Sequence, residues 1–356
     1  MRTICRSAAV CAAFAVLPAL PGAAAAKGTT PAPTTPAAPA PAVPAPVPGQ
    51  AAGKIQLVLQ KVGGTPTFAI AGKRFVVRGI VIPYVAGQTV KVSFYREGRK
   101  VGVQTVSVLP VGNGAGQFHL GFTSRLSGLV RARAAHYATP QQAAFAGRSR
   151  SVRVVNPNLG PGSSGPSVRL LQSELWNLHY VVPLNGVFDE ATGRAVIAYR
   201  KMNNLSRIAY SGSEVFSRLT HGLGTFHVLY RHDGRHVEAN LTKQVLAEIE
   251  PGGRVHAIYT MSSGKPSTPT VIGRFKVYSK TPGTNSEGMV DSNYFIRGYA
   301  IHGYAEVPTY AASHGCLRVP IPNAAAIYSW VQYGTPVDVY NQSGGGSTHV
   351  RSNAGP

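Results

Sequence analysis

The chain has 356 residues, enough for two or three domains, and 44 % of them are hydrophobic, so sizeable cores are within reach. Thirty-five Lys and Arg face 13 Asp and Glu, a net charge of +22 that favours polyanionic partners. The basic residues are scattered and no recognisable nucleic-acid-binding module accompanies them, which excludes nucleic acid as the reading of that charge.

Residues 1–26 read as a secretory signal peptide. Arg2 and Arg6 form a basic start, residues 8–17 an apolar run too short to span a bilayer, and residues 23–26 a small-residue cleavage site behind Pro21 and Gly22. The alternative is a membrane anchor that stays attached. Cleavage removes Cys5 and Cys11, leaves Cys316 as the single cysteine, and leaves 33 basic against 13 acidic side chains, a balance of +20. No later stretch is apolar enough for a transmembrane helix, so no stable membrane anchor is expected. Export turns the expected polyanion into a wall polymer or an anionic membrane surface.

Residues 27–53 are Pro/Ala-rich and expected to be an extended linker without a core. A period of two begins near Lys54: Val90, Val92 and Phe94 alternate with Lys91, Ser93 and Tyr95, and Phe118, Leu120 and Phe122 repeat the pattern. With apolar runs at 55–62, 75–82, 101–109, 128–135 and 151–155 between Gly- or Pro-containing turns, residues 54–155 read as an antiparallel sandwich, Ig-like in architecture and without catalytic groups. Residues 156–164 are a linker. The period then changes: Val168, Leu171, Leu175 and Leu178 lie on one helix face, Asp189 is placed to cap a second helix with inner face Ala195, Val196, Tyr199 and Met202, and Val215, Phe216 and Leu219 mark a third. "GPSVRLLQSELWNLHY" and "NGVFDEATGRAVIAYRKMNNL" within this 165–220 segment resemble the peptidoglycan-binding domain of bacterial wall hydrolases. It departs from that family at Asp189, where Gly is common, and at "IAYSGSE", where a second Asp-Gly turn is usual. The resemblance implies glycan binding; a packing module without glycan affinity is the alternative.

From His236 the chain is strand-like again, in "HVEANL", "QVLAEIE", "RVHAIYTMSSG" and "GRFKVYSK"; "AAAIYSWV" reads as a helix, "TPVDVY" as a closing strand, and 341–356 as a disordered tail. Cys316 needs a base or an ion-pair partner to attack a carbonyl, because a thiol near pKa ~8.5 is mostly protonated at neutral pH. Two histidines qualify. His314 shares a face with Cys316 if the segment is extended, and a hairpin-like return brings His302 beside it. Gly315 leaves the N–H groups of Gly315 and Cys316 free to face an oxyanion. Two other readings stay open: a zinc site of His302, His314 and Cys316 with Glu306 as its carboxylate, and an inert core cysteine.

"IHG" at 301–303 followed by "SHGCLR" at 313–318 resembles the L,D-transpeptidase (YkuD-type) catalytic domain, as do "TMSSGKPSTPTVIGRFKVYSK" and "NLTKQVLAEIEPGGRV" upstream. The resemblance spans 237–340, with a ten-residue spacer between His302 and Ser313 that is shorter than usual and Arg318 where Asn is common. It implies Cys316 as nucleophile, His302 as general base oriented by the carbonyl of Gly303, His314 as support for thiolate or substrate, and an oxyanion site of the His314, Gly315 and Cys316 N–H groups. It also implies Ser313 as the loop's organiser and Arg318, Tyr294 and Tyr304 as substrate-contacting groups, with Arg297 and Arg318 steering carboxylates. The chemistry implied is 3→3 cross-linking of peptidoglycan stem peptides through a thioester, with no metal or other cofactor. An L,D-carboxypeptidase and a non-catalytic wall-binding protein are the alternatives. The expected fold is multidomain and mainly β: an Ig-like sandwich, a three-helix module and a mostly β catalytic domain, with the front half setting reach and location and 237–340 performing the chemistry in the extracytoplasmic wall.

Overall fold

Alternation of apolar and polar side chains builds the front of the protein. The computed structural model describes residues 50–341. The expected signal peptide, nearly all of the Pro/Ala-rich segment and the tail beyond residue 341 lie outside the described residues. Strands Lys54–Gln60 (β1), Phe68–Ile70 (β2), Arg74–Ile82 (β3), Thr89–Arg96 (β4), Arg99–Ser107 (β5), Leu109–Gly112 (β6), Ala115–Thr123 (β7), Gly128–His136 (β8), Phe145–Arg148 (β9) and Val152–Val155 (β10) make two sheets, β1-β3-β7-β6 and β2-β10-β8-β4-β5, with β9 added beside β8. On β4, Val90, Val92 and Phe94 are buried while Lys91 is exposed. Phe94 of one sheet stacks on Phe122 of the other at 4.0 Å, which closes the sandwich across its core. The pairing is antiparallel except between β2 and β10, which run parallel. The Phe68-Ala69-Ile70 run is buried at all three positions, so no alternation in the sequence announces its direction.

Three helices follow, Pro166–Asn177 (α1), Glu190–Met202 (α2) and Ser213–Leu219 (α3). Pro166 opens α1, where its missing N–H would have no helical partner anyway. Asp189 caps α2 by accepting the Thr192 N–H at 2.8 Å. Ala195, Val196 and Tyr199 are buried as the helical period demands, and so are Arg200 and Lys201, which that period places on the polar side. The reason is a second surface: α2 also packs on the sheet that follows.

That sheet has the order β13-β12-β11-β19-β14, formed by His236–Asn240 (β11), Val245–Glu250 (β12), Arg254–Thr260 (β13), Gly273–Lys276 (β14) and Pro336–Tyr340 (β19). A second sheet, β15-β16-β17-β18, comprises Ser279–Thr284 (β15), Val290–Ile296 (β16), Tyr299–Tyr304 (β17) and Leu317–Pro320 (β18), with helix Ile321–Trp330 (α4) packed on β16 and β17. "GRFKVYSK", read as one strand from sequence, is divided between β14 and β15 in different sheets. The two faces of β12 explain the architecture. Leu246 joins Phe275, Ile301, Leu317 and Trp330 in the core between the two sheets. Val245, Ala247 and Ile249 point the other way, into a buried cluster with Leu171, Val196, Tyr199 and Phe216 of the helices and Phe68, Ile70 and Val155 of the sandwich. Each such aliphatic side chain contributes ~1.5–3 kcal/mol when buried, so the helices are built into the last sheet and are not a tethered module. Among the described residues no helix is long and apolar enough to cross a membrane.

Candidate active site

Strands β17 and β18 run parallel in the register Ile301↔Leu317, His302↔Arg318 and Gly303↔Val319. Because successive residues of a strand face opposite ways, Ile301, Leu317 and Val319 enter the core, and Gly303 lies under α4. A Cβ on Gly303 would meet that of Ala324 at 2.7 Å, so this position needs Gly to let the helix approach. Ala300, His302, Tyr304 and Arg318 take the opposite face. Continuing the register one residue before β18 sets Cys316 level with Ala300 and diagonal to His302. The expected hairpin-like return is not what joins them. A parallel pair needs a crossover, and residues 305–316 supply it by passing along the end of β13.

His302 is 3 % exposed, and its Nδ1 lies 2.9 Å from the carbonyl oxygen of Gly303. With Nδ1 donating to that carbonyl, Nε2 carries the lone pair. Burial is the main influence on the ring and holds its pKa below the usual value of 6.5. The Gly303 carbonyl opposes this, Arg318 adds to it, and Glu287 weakly opposes. Tyr304 meets the ring edge-on at 5.7 Å, and the guanidinium of Arg318 lies 3.9 Å over the Tyr304 ring. Cys316 is a free, half-buried thiol with Sγ 3.5 Å from the carbonyl oxygen of Gly298. Burial pushes this thiol up, against smaller lowering by the Ala300 backbone and Arg318. Both shifts favour the uncharged forms, a neutral imidazole and a neutral thiol.

Ser313 braces the loop that carries Cys316. Ser313 is fully buried; its Oγ donates to the Cys316 carbonyl at 2.6 Å and accepts the Gly315 N–H at 3.0 Å. The Gly315 N–H, expected to be free for an oxyanion, is thus engaged, and the N–H groups of His314 and Cys316 are the two that Ser313 leaves alone. Gly315 has φ +126°, and a Cβ there would come within 2.4 Å of the Tyr299 ring. That conformation also breaks the extended geometry by which His314 would share a face with Cys316. His314 is exposed, with Nε2 3.4 Å from Nζ of Lys265. The half-buried Tyr294 pairs with Ala300, which places it on the same face as His302 and Arg318. Arg297 sits in the exposed turn between β16 and β17, and Glu306 is exposed.

Sequence reasoning passed over the residues that hold this loop. Ser263 O accepts the N–H groups of Ala312 and Ser313 at 2.8 and 2.9 Å, Ser262 exchanges two backbone hydrogen bonds with Arg318, and Ser313 O accepts from Lys265 N and Thr268 Oγ1. Thr270 Oγ1 donates to Gly315 O at 2.7 Å. The available signal was the density of hydroxyl side chains in "TMSSGKPSTPT". Among the described residues no group of three or more His, Cys, Asp or Glu side chains is arranged to hold a metal ion.

Residues 234–339 match the family model of the L,D-transpeptidase catalytic domain, YkuD. A crystal structure of an L,D-transpeptidase segment from Xylanimonas cellulosilytica is 33 % identical over 52 % of this chain and 98 % of that one, with a TM-score of 0.49. The chain belongs to the L,D-transpeptidase family. An L,D-transpeptidase from Stackebrandtia nassauensis is 19 % identical over 53 % of this chain and 98 % of that one, TM-score 0.34. One from Mycobacterium tuberculosis is 20 % identical over 30 % and 57 %, TM-score 0.28. No curated protein matches the chain. His302, Ser313, Gly315 and Cys316 all lie inside the YkuD match, and the β-sandwich and the three helices precede it.

Proposed function

We propose that this L,D-transpeptidase is exported to the cell wall and forms 3→3 cross-links between peptidoglycan stem peptides through a thioester on Cys316. The observation that supports the reading best is the buried His302, fixed by the Gly303 carbonyl at 2.9 Å, on the face that leads to the free thiol of Cys316. Sγ attacks the carbonyl carbon of the third residue of a tetrapeptide stem while the thiol proton passes to Nε2 of His302. The oxyanion falls to the N–H groups of His314 and Cys316. The C–N bond to the terminal D-alanine then breaks, and its nitrogen leaves with the proton from His302. In the second half the side-chain amine of a neighbouring stem attacks the thioester, gives up a proton to His302, and releases Cys316 as the thiol.

Arg318 and Lys265 offer positive charge to the stem carboxylates on either side of the loop. The excess charge, +20 once Arg2 and Arg6 are removed with the signal peptide, adds a salt-sensitive attraction to anionic wall polymers, and the helical module is a candidate glycan-binding surface. The test is product analysis with a purified tetrapeptide-stem muropeptide. A dimer whose tandem mass spectrum shows a 3→3 linkage supports the reading. Tripeptide stems and free D-alanine without dimer assign the hydrolytic L,D-carboxypeptidase activity instead, and unchanged substrate refutes both.

A further inference from the structure

Lys201, on the last turn of α2, is 1 % exposed, and burial lowers the pKa of its amine from 10.5 to about 7. Its polar contacts include no carboxylate. Nζ donates to Thr260 Oγ1 at 2.6 Å, to the Met261 carbonyl at 2.9 Å and to the Gln244 carbonyl at 3.0 Å, so the protonated form matches three donors to three acceptors. All three acceptors sit at the end of β13 and the turn before β12, and the segment they fix is the one that holds the nucleophile loop.

Two short routes lead from Nζ to that loop. By the first, Met261 is followed by Ser262, whose N–H and carbonyl exchange hydrogen bonds of 2.9 Å with Arg318, two residues after the thiol. By the second, Gln244 grips Ser263: its Oε1 accepts the Ser263 N–H at 2.8 Å and its Nε2 donates to Ser263 Oγ at 2.6 Å. Ser263 O in turn accepts from Ala312 and Ser313, and Ser313 Oγ bridges Gly315 and Cys316. Both ends of the loop therefore hang from the strand end that Lys201 holds. A Leu or Met here would satisfy the packing and leave the Gln244 and Met261 carbonyls without this donor.

We propose that Lys201 is a positioning residue for Cys316, through which the helical module sets the geometry of the nucleophile loop. The inference rests on the reading of Cys316 as the reacting group. It assigns the helices a part in the chemistry beyond any contact with glycan.

The test uses the full chain with Lys201→Met, Lys201→Gln, Ser263→Ala and the Lys201→Met/Ser263→Ala double variant, each well below its melting temperature. Alkylation of Cys316 by iodoacetamide across pH, mapped by peptide mass spectrometry, reads the state of the thiol whatever the enzyme's substrate. Acylation by a carbapenem reads the reaction. Lys201→Met should shift the pH midpoint of Cys316 alkylation and lower the limiting acylation rate by about tenfold or more, with half-saturation little changed. Lys201→Gln, which keeps two donors, should recover much of the rate. Ser263→Ala should act in the same direction, and the double variant should fall short of the sum. Wild-type alkylation profiles in Lys201→Met and Lys201→Gln would overturn the proposal and leave Lys201 a packing residue. If Lys201→Met does not fold, unchanged profiles in Lys201→Gln and Ser263→Ala would overturn it equally. A wild type that resists the carbapenem counts against the transpeptidase reading, while the alkylation series still decides the role of Lys201.

Discussion

The imidazole of His302 is held by the carbonyl of the residue that follows it: Nδ1 lies 2.9 Å from Gly303 O. A carbonyl in this role fixes the tautomer without adding a negative charge, so burial dominates and the ring stays neutral below its ordinary pKa of 6.5, while burial raises the neighbouring Cys316 thiol. The pH profile of Cys316 acylation should therefore have its acid limb below pH 6.5, where His302 becomes protonated and can no longer take the thiol proton, and remain flat through neutrality. A rate that first rises well above pH 7 would mean that free thiolate, not the His302-assisted thiol, is the reactive form.

The two glycines beside the pair carry different loads. Gly303→Ala forces a methyl into Ala324 of α4 at 2.7 Å and should lower stability by ~1–3 kcal/mol through overpacking, read as a lower denaturant midpoint. Gly315→Ala strains a φ of +126° and drives a methyl into Tyr299 at 2.4 Å. It should displace the Cys316 loop and abolish acylation while most of the fold, held elsewhere, persists. A Gly315→Ala protein that acylates like wild type would show that the loop does not need its left-handed residue.

Glu248 offers a test of the catalytic domain's interior. It is 1 % exposed, accepts the Tyr259 hydroxyl at 3.2 Å, and burial raises its pKa to about 8. In the unfolded chain it titrates near 4.5. Between these values the folded state holds a proton that the unfolded state has lost, so this contribution to stability is full below pH 4.5 and is lost as pH rises to about 8. Glu248→Gln should remove that slope: relative to wild type it gains stability between pH 5 and 8 in denaturant titrations. An identical pH dependence in both proteins contradicts the assignment.

A chain that starts at residue 221 lacks α1 to α3 and exposes Val245, Ala247, Ile249 and Ile258 of β12 and β13, the strands on which α2 packs in the whole protein. It also lacks Lys201. Such a fragment should melt without a cooperative transition and show no Cys316 acylation. A cooperative melt with wild-type acylation would return the helices to the status of a detachable module.

The limits of the sequence lie where two surfaces share one element. Val90, Val92 and Phe94 reveal β4 because only one face of that strand is buried, and Ala195, Val196 and Tyr199 reveal α2 by the same logic. Arg200 and Lys201 mislead, since their charge signals solvent while a second layer covers them. Within the site, "IHG" and "SHGC" are readable because the family resemblance rests on particular residue types. The parallel pairing of β17 with β18 is not, since strand direction leaves no mark on a short apolar run, and a hairpin was the simpler inference. Ser263, Thr268, Thr270 and Gln244 act through their hydroxyl, amide and backbone groups, and only the fold shows which loop they hold.

The measurement that bears most directly on the account is intact-protein mass spectrometry of wild type, His302→Ala and Cys316→Ala incubated with a carbapenem. The expected result is a single adduct on wild type mapped to Cys316, none on Cys316→Ala, and formation slowed on the order of 10²–10⁴-fold in His302→Ala. An adduct that persists in Cys316→Ala, or one that forms at the wild-type rate in His302→Ala, would contradict it.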